Sequence, residues 1–159
     1  MIALILFITI VIATLASVYF IKFSSEPPIP QEVVSATIFP IYYPAEMPDG
    51  FAIDQQSFES SQSVVLYQIK QKDTGKKINV SLQPTLPDFE YDEFYKRDVV
   101  GRREVVTSSG PAILGTFGGA PFASLTTDTT WVILKADKGI KIEALETITK
   151  SLTEYKPDN

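Results

Sequence analysis

The sequence predicts an α+β domain with a curved antiparallel sheet of about six to eight strands packed against a C-terminal helix. One N-terminal transmembrane helix precedes this domain. Three observations support this prediction. The 159-residue chain begins with a dense apolar block. Short segments with a hydrophobic period of two follow, separated by turn residues. An amphipathic segment closes the chain, and strands followed by one packing helix are typical of the α+β class.

The apolar block is long enough to cross a membrane. Residues 2–21, bounded by Ile2 and Ile21, contain no charge, no Pro and no Gly. As a helix they would extend about 30 Å, the hydrocarbon thickness of a bilayer. We therefore assign residues 1–23 as a transmembrane anchor. A cleaved signal peptide usually has a shorter apolar core and a basic start. A pilin-like helix, the other alternative, would carry an early Glu that this segment lacks.

A Pro-rich segment follows the anchor. Residues 24–37 include Pro27, Pro28 and Pro30, which fix φ and remove hydrogen-bond donors. The composition predicts an extended, semi-rigid stalk. The domain itself is then assigned to residues 38–156, with 157–159 as a tail.

The clearest strands form a hairpin. Residues 64–71 and 77–83 flank a turn at residues 72–76, and in the second arm Ile78, Val80 and Leu82 alternate with polar side chains. A period of two predicts one buried face. Further strands are predicted at residues 51–53, 104–107, 112–117, 120–126 and 130–136.

Two helices are predicted. Residues 88–98 place Phe89, Glu93 and Arg97 at spacings of four. Residues 143–154 place Leu145, Ile148 and Leu152 on one stripe, which is typical of a helix packed on a core.

Composition excludes several chemistries. The chain has no Cys and no His, which removes disulfides, thiol nucleophiles, zinc sites built from these residues and the usual general base near neutral pH. Its formal net charge is −5, so nucleic acid is a poor partner. We expect no catalytic residues, no cofactor and no metal site.

The acidic and glycine-containing motifs have simple structural explanations. Asp73-Thr74-Gly75 matches the aspartic-protease tripeptide, but those enzymes need two such carboxylates, and a solvent-exposed turn is expected here. The acidic residues of 88–93 lack the spacing of a calcium loop. A hydrolase remains an outside alternative, and it would need Asp73, Glu104 or Asp128 to lie in a cleft with a strongly shifted pKa.

Two clusters are candidates for binding. One is an apolar groove lined by aromatic residues, although core packing is the more frequent fate of such side chains on strands; its residues are Tyr42, Tyr43, Phe117, Phe122 and Trp131. The other is a basic cluster of Lys96, Arg97, Arg102 and Arg103, for which a solvated surface is the simpler interpretation.

Three segments together resemble a bacterial family of membrane-anchored domains of unknown function, found behind a transmembrane helix in anti-sigma-factor-like and lipoprotein-like proteins. They are residues 43–51, similar to the family's Pro-Glu-Gly-Tyr entry, the hairpin of residues 66–83, and the closing residues 131–152. The resemblance implies a curved antiparallel sheet, a packed terminal helix and a domain outside the cytoplasm. It supplies no catalytic residue.

The sequence therefore predicts an uncharacterised single-pass membrane protein, anchored through Ile2 to Ile21, with a non-enzymatic domain that binds or senses a protein or an apolar ligand. Binding of a lipid or lipoprotein on a concave sheet face is the alternative. Lys22 slightly favours a cytoplasmic C-terminus by the positive-inside rule, whereas the stalk and the resemblance favour the extracytoplasmic side. Oligomeric state stays open.

Overall fold

The computed structural model describes residues 28–157. Three helices and nine strands occur in this range; in chain order they are α1 (Gln31–Ala36), β1 (Tyr42–Pro44), β2 (Phe51–Ser60), β3 (Val65–Gln71), β4 (Lys77–Pro84), α2 (Tyr91–Asp98), β5 (Val100–Thr107), β6 (Gly110–Phe117), β7 (Ala120–Thr126), β8 (Thr130–Ala136), α3 (Ile142–Lys150) and β9 (Leu152–Glu154). The predicted α+β class is confirmed for this part of the chain.

Seven strands form one antiparallel sheet in the order β2-β3-β4-β8-β7-β6-β5. It consists of two meanders, β2-β3-β4 and β5-β6-β7-β8, which join where β4 pairs with β8. In that central pair Val80 lies opposite Leu134, and Leu82 lies opposite Val132. The alternation that predicted the hairpin therefore continues from β4 into β8, and it gives the sheet one mainly aliphatic face.

The aliphatic face, called the first face here, carries the main core. Leu145 and Ile148 of α3 are fully buried against it, as is Leu152 just after the helix. The small sheet of β1 and β9 joins the same core. The predicted packing of the C-terminal helix is thus confirmed.

The C-terminal helix is shorter than the predicted residues 143–154. It ends at Lys150, and the backbone N–H of Ser151 donates to carbonyls of the last turn, including that of Ile148. The chain then extends so that Leu152 pairs with Pro44 and Glu154 with Tyr42. Burial of Leu152 is satisfied equally well by this short strand, which explains why the apolar stripe alone overestimated the helix.

The predicted stalk is wrong for its C-terminal part. Ile29 is fully buried, Val33 is buried in the main core, and residues Gln31–Ala36 form α1. Pro30 stands just before this helix, where its fixed φ and missing N–H are tolerated. Folded structure therefore begins before the predicted boundary at residue 38. The proline that indicated an extended stalk starts a helix instead.

The predicted transmembrane helix of residues 2–21 lies outside the described residues. Within residues 28–157, no helix combines the length and the apolar character needed to span a bilayer.

Candidate functional site

The opposite side of the sheet, the second face, is half covered by α2. Phe89 and Tyr91 lie against Trp131 of β8, with ring centroids 5.3 and 5.0 Å away. Phe94 of α2 lies 5.9 Å from Phe117 by the same measure. Trp131 keeps 7% of its surface exposed. These rings form an aromatic layer between α2 and strands β6 to β8, and side chains of the chain itself occupy that space.

A hydrogen-bond network lies beneath the aromatic layer. The Oγ of Ser124 accepts from Trp131 Nε1 at 2.7 Å and donates to the carbonyl of Val132 at 3.1 Å. It also contacts Tyr95 Oη at 2.8 Å, and that oxygen lies 3.0 Å from Thr126 Oγ1. The polar atoms of this buried cluster are therefore paired, which the low polarity of the site requires.

The structure separates the residues of the predicted apolar groove. Phe117, Phe122 and Trp131 all belong to the aromatic layer on the second face. Tyr42 is buried in the first-face core, and Tyr43 packs edge-on against Tyr155 at 5.9 Å. The five side chains do not line a common groove, because the sheet lies between the two groups.

The other half of the second face is polar, and no element of the described residues covers it. We call it the polar sheet surface; it comprises Leu66, Gln68 and Lys70 of β3 and Asn79, Ser81 and Gln83 of β4. Gln68 Nε2 donates to Asn79 Oδ1 at 3.2 Å, and Lys70 pairs with Asp54 of β2 at 2.5 Å. Leu66, 38% exposed, is its apolar member.

A bulge in β2 borders this surface. The strand register shifts between Asp54 and Glu59, and Ser57 Oγ accepts from the backbone N–H of Gln68 at 2.8 Å. The bulge leaves a depression of about 160 Å³ beside Leu66 and Ser81. Such a volume suits one side chain of a partner better than a whole small ligand.

Most members of the basic cluster already have carboxylate partners. Lys96 binds Glu93 at 2.7 Å and thereby lowers the pKa of that carboxylate. Arg97 binds Asp98 at 2.8 Å. An open depression of about 360 Å³ between α2 and β5 contains Arg102, which has no carboxylate within ion-pair distance among residues 28–157.

The fourth basic residue links β5 to the C-terminal helix. Arg103 binds Glu146 of α3, and Lys150 binds the other carboxylate oxygen at 2.7 Å. The hydrogen bond from Arg103 makes the largest contribution to lowering the pKa of Glu146, and the hydrogen bond from Lys150 makes the second largest. Together they lower this pKa to about 2. The pair therefore acts as a structural tie between an edge strand and α3.

The three carboxylates considered for hydrolysis lie far apart in the fold. Asp73 is in the turn that precedes β4, and Asp128 is in the β7–β8 turn at the opposite end of that strand. Glu104 is on β5, four strands away. The Asp73 tripeptide forms the exposed turn that was predicted, with Gly75 at φ +67°.

An open depression of about 490 Å³ lies beside the end of α3. Lys150 and Ser151 are among the residues that line it. Ser151 Oγ donates to the carbonyl of Glu46 at 2.8 Å. Within the described residues, no group of three or more acidic side chains is arranged to hold a metal ion.

Comparison with protein-family models, with curated proteins and with solved structures gave no match. The aromatic and basic residues were predicted from the sequence, whereas the polar sheet surface was not. Its signal was present in Asn79, Ser81 and Gln83, which alternate with the buried residues of β4.

Proposed function

We propose that this chain is a single-pass membrane protein whose tethered, non-enzymatic domain binds a protein partner through the polar sheet surface. The observation that carries the proposal is the unequal covering of the second face. Aromatic side chains close one half. Within residues 28–157 the other half is open, and it carries hydrogen-bonding groups at a regular strand spacing.

The composition of this surface suits contact with a protein. The side-chain amides of Gln68, Asn79 and Gln83 each offer both donors and acceptors. Protein interfaces carry about one hydrogen bond per 100–200 Å² around a smaller apolar centre. Leu66 and the depression beside it provide such a centre. The backbone that carries these groups is paired with a strand on each side, so binding need not order it.

A non-enzymatic role is supported by the dispersal of the acidic groups. The three candidate carboxylates lie in separate parts of the fold; they are Asp73, Glu104 and Asp128. No two of them share a cleft in which they could act together as general acid and base.

Lipid or lipoprotein carriage is the alternative, and the aromatic layer is the observation that favours it. If α2 moved away, Phe117, Phe122 and Trp131 would form an apolar patch on the sheet. In the closed arrangement the rings of Phe89, Tyr91 and Phe94 occupy that position. Carriage would therefore require displacement of a helix, whereas protein binding on the polar sheet surface requires none.

The membrane anchor at residues 2–21 and an extracytoplasmic location remain part of the proposal. Protease treatment of intact cells tests the location, because an extracytoplasmic domain should be digested before lysis. Protection until lysis would place the domain inside and reverse that part of the proposal.

Site-specific photo-crosslinking tests the binding surface in the full chain. A photoreactive residue at Asn79 should give a discrete adduct with one protein, and the same residue at exposed Glu143 on α3 serves as the matched control. The change Ser81→Arg should abolish the adduct by filling the surface. Equal adducts at both positions would contradict the proposal. A photoreactive residue at Phe94 should react only within the chain, and a lipid adduct there would favour carriage.

A further inference from the structure

Charge is distributed unequally between the two ends of the seven-stranded sheet. We call one of them the lysine end; it is the end at which β2 and β4 begin and β3 and β8 finish. The connections there, together with the first residue of β4, carry five lysines, which are Lys72, Lys76, Lys77, Lys138 and Lys141. Among residues 28–157, none of the five has a carboxylate within ion-pair distance.

Contacts between these connections hold the lysines close together. The backbone N–H of Asp137, just after β8, donates to the carbonyl of Lys77 at 2.8 Å. Lys76 Nζ lies over Gly139, 2.6 Å from where a Cβ of that residue would stand. The lysines of the β3–β4 turn and those of the segment between β8 and α3 therefore form one surface, although they are distant in the sequence.

Carboxylates at the lysine end are fewer than the lysines. Three lie in the same connections; they are Asp49, Asp73 and Asp137. A fourth, Glu143 in the first turn of α3, is near Arg103 of β5. Positive charge is therefore in excess at this end of the sheet, in a chain whose formal net charge is −5.

The strand connections at the opposite end are acidic. No Lys or Arg occurs in residues 61–64, 85–90, 108–109 and 127–129. The same connections include three carboxylates, those of Asp88, Glu90 and Asp128. Lys150 of α3, which lines a depression together with Ser108, is already bound to Glu146. The two ends of the sheet therefore carry excess charge of opposite sign, and the domain is electrostatically polar along its strands.

The proposed anchor would keep this polar domain close to a membrane. The anchor ends at residue 23, and the five residue steps from there to Pro28 can span at most about 18 Å. The carbonyl of Pro28 accepts from Gln55 Nε2, near the middle of β2. Because the folded chain begins beside the middle of an edge strand, the tether itself does not select which end of the sheet turns towards the headgroups.

We propose that the lysine end lies against the anionic lipid headgroups of the membrane that holds the anchor, an inference that rests on the proposed anchor. Basic clusters close to a membrane anchor are attracted to anionic headgroups. The acidic opposite end is repelled by the same surface and therefore points away from the bilayer. The contact requires anionic lipid in whichever leaflet faces the domain.

This orientation leaves the polar sheet surface accessible. The strands run away from the bilayer, so β3 and β4 can be reached from the side. The reverse orientation would bring two exposed apolar side chains, Ile38 and Leu86, to the membrane. It would also bring Asp88 and Asp128 to the anionic headgroups, which electrostatic repulsion opposes.

Quenching by headgroup-labelled lipid tests the orientation with the full chain in nanodiscs. The chain contains no cysteine, so a fluorophore can be attached at Thr74→Cys in the lysine end, with Gln62→Cys at the opposite end as the matched control. Both positions are exposed. In nanodiscs of phosphatidylcholine and phosphatidylglycerol that contain a spin-labelled headgroup, we expect quenching at position 74 to exceed that at position 62 by about three-fold. Phosphatidylcholine alone should remove the difference, as should about 1 M salt, which shortens the Debye length to about 3 Å.

Charge removal tests the role of the lysines. The test variant combines three changes at the lysine end, which are Lys72→Gln, Lys138→Gln and Lys141→Gln. It should lower quenching at position 74 to the level at position 62. The control variant removes the same charge elsewhere through Lys96→Gln, Arg102→Gln and Lys156→Gln, and it should keep the difference. Unchanged fluorescence of Trp131 establishes that each variant folds. An equal loss of quenching in both variants would overturn the inference.

Extraction of cell membranes with alkaline carbonate separates this inference from the anchor on which it rests. Release of the chain would overturn the anchor and the inference together. Retention of the chain with equal quenching at positions 62 and 74, or with a difference that persists without phosphatidylglycerol, would overturn the inference alone. The crosslink from position 79 tests the polar sheet surface separately.

Discussion

The two faces of the sheet are built differently from the same strands. The first face is aliphatic and is covered by α3, α1 and the β1–β9 pair, with residues such as Leu134 and Leu145 fully buried. The second face is aromatic under α2 and polar where no element of residues 28–157 covers it. We therefore expect the stability of the domain to come mainly from the first face, and the surface proposed for binding lies on the second face.

The buried half of the second face shows how polar groups are accommodated. Ser124 is 1% exposed, yet no buried side-chain nitrogen or oxygen in residues 28–157 lacks a hydrogen-bond partner. Hydrogen bonds therefore contribute to the stability of this half of the second face, whereas the first face is stabilised mainly by close aliphatic packing.

Leu134→Ala should have the largest effect, because it removes a fully buried side chain from the centre of the first face. We expect a loss of about 3 kcal/mol in the free energy of unfolding, from lost burial and the cavity left behind. Urea unfolding followed by Trp131 fluorescence measures it. The control Leu66→Ala, on the second face of β3, should cost less than about 1 kcal/mol. Similar losses at both positions would remove the distinction between the faces.

Ser124→Ala tests the hydrogen-bond network of the second face. It deletes the acceptor of Trp131 Nε1 and a partner of Tyr95 Oη, and leaving buried polar groups unpaired costs about 2 kcal/mol. The chain contains one Trp, so its emission spectrum should change as well. Ser81→Ala, on the polar sheet surface, should leave the emission unchanged. A loss below about 0.5 kcal/mol for Ser124→Ala would show that the network is dispensable.

Glu146→Gln tests the tie between β5 and α3. The free energy of unfolding should fall by about 1 kcal/mol, because partly exposed ion pairs contribute little. Arg103 and Lys150 hold the pKa of Glu146 at about 2, below its ordinary value of 4.5. Its stabilising contribution is therefore complete above pH 4.5 and is lost as the pH falls towards 2. Acid titration should show a smaller decrease over that window in the variant, and identical titrations would contradict this role.

Gln68→Ala should have the smallest effect on folding, within about 0.5 kcal/mol, because its partner Asn79 is exposed to water. The same change should weaken crosslinking of a partner from position 79. Loss of stability without loss of crosslinking would make the polar sheet surface a structural feature only.

The sequence by itself determined the strand alternation and the class of the fold. Ile78, Val80 and Leu82 had to share one face because strand side chains alternate, and the turn residues at 72–76 placed the hairpin. Local chemistry also placed α2 and the start of α3 to within a few residues.

Only the tertiary structure decided which surfaces are covered. For aromatic residues such as Phe117 and Trp131, core packing was the more frequent fate and an open groove remained a candidate. The outcome depends on α2 contacting strands distant in the sequence. Ile29 and Val33 join the core for the same reason, although prolines beside them indicated a stalk. Secondary-structure propensity and hydrophobic spacing depend on residues close together in the sequence. Burial depends on contacts with segments that are distant in the sequence, and no local pattern contains that information.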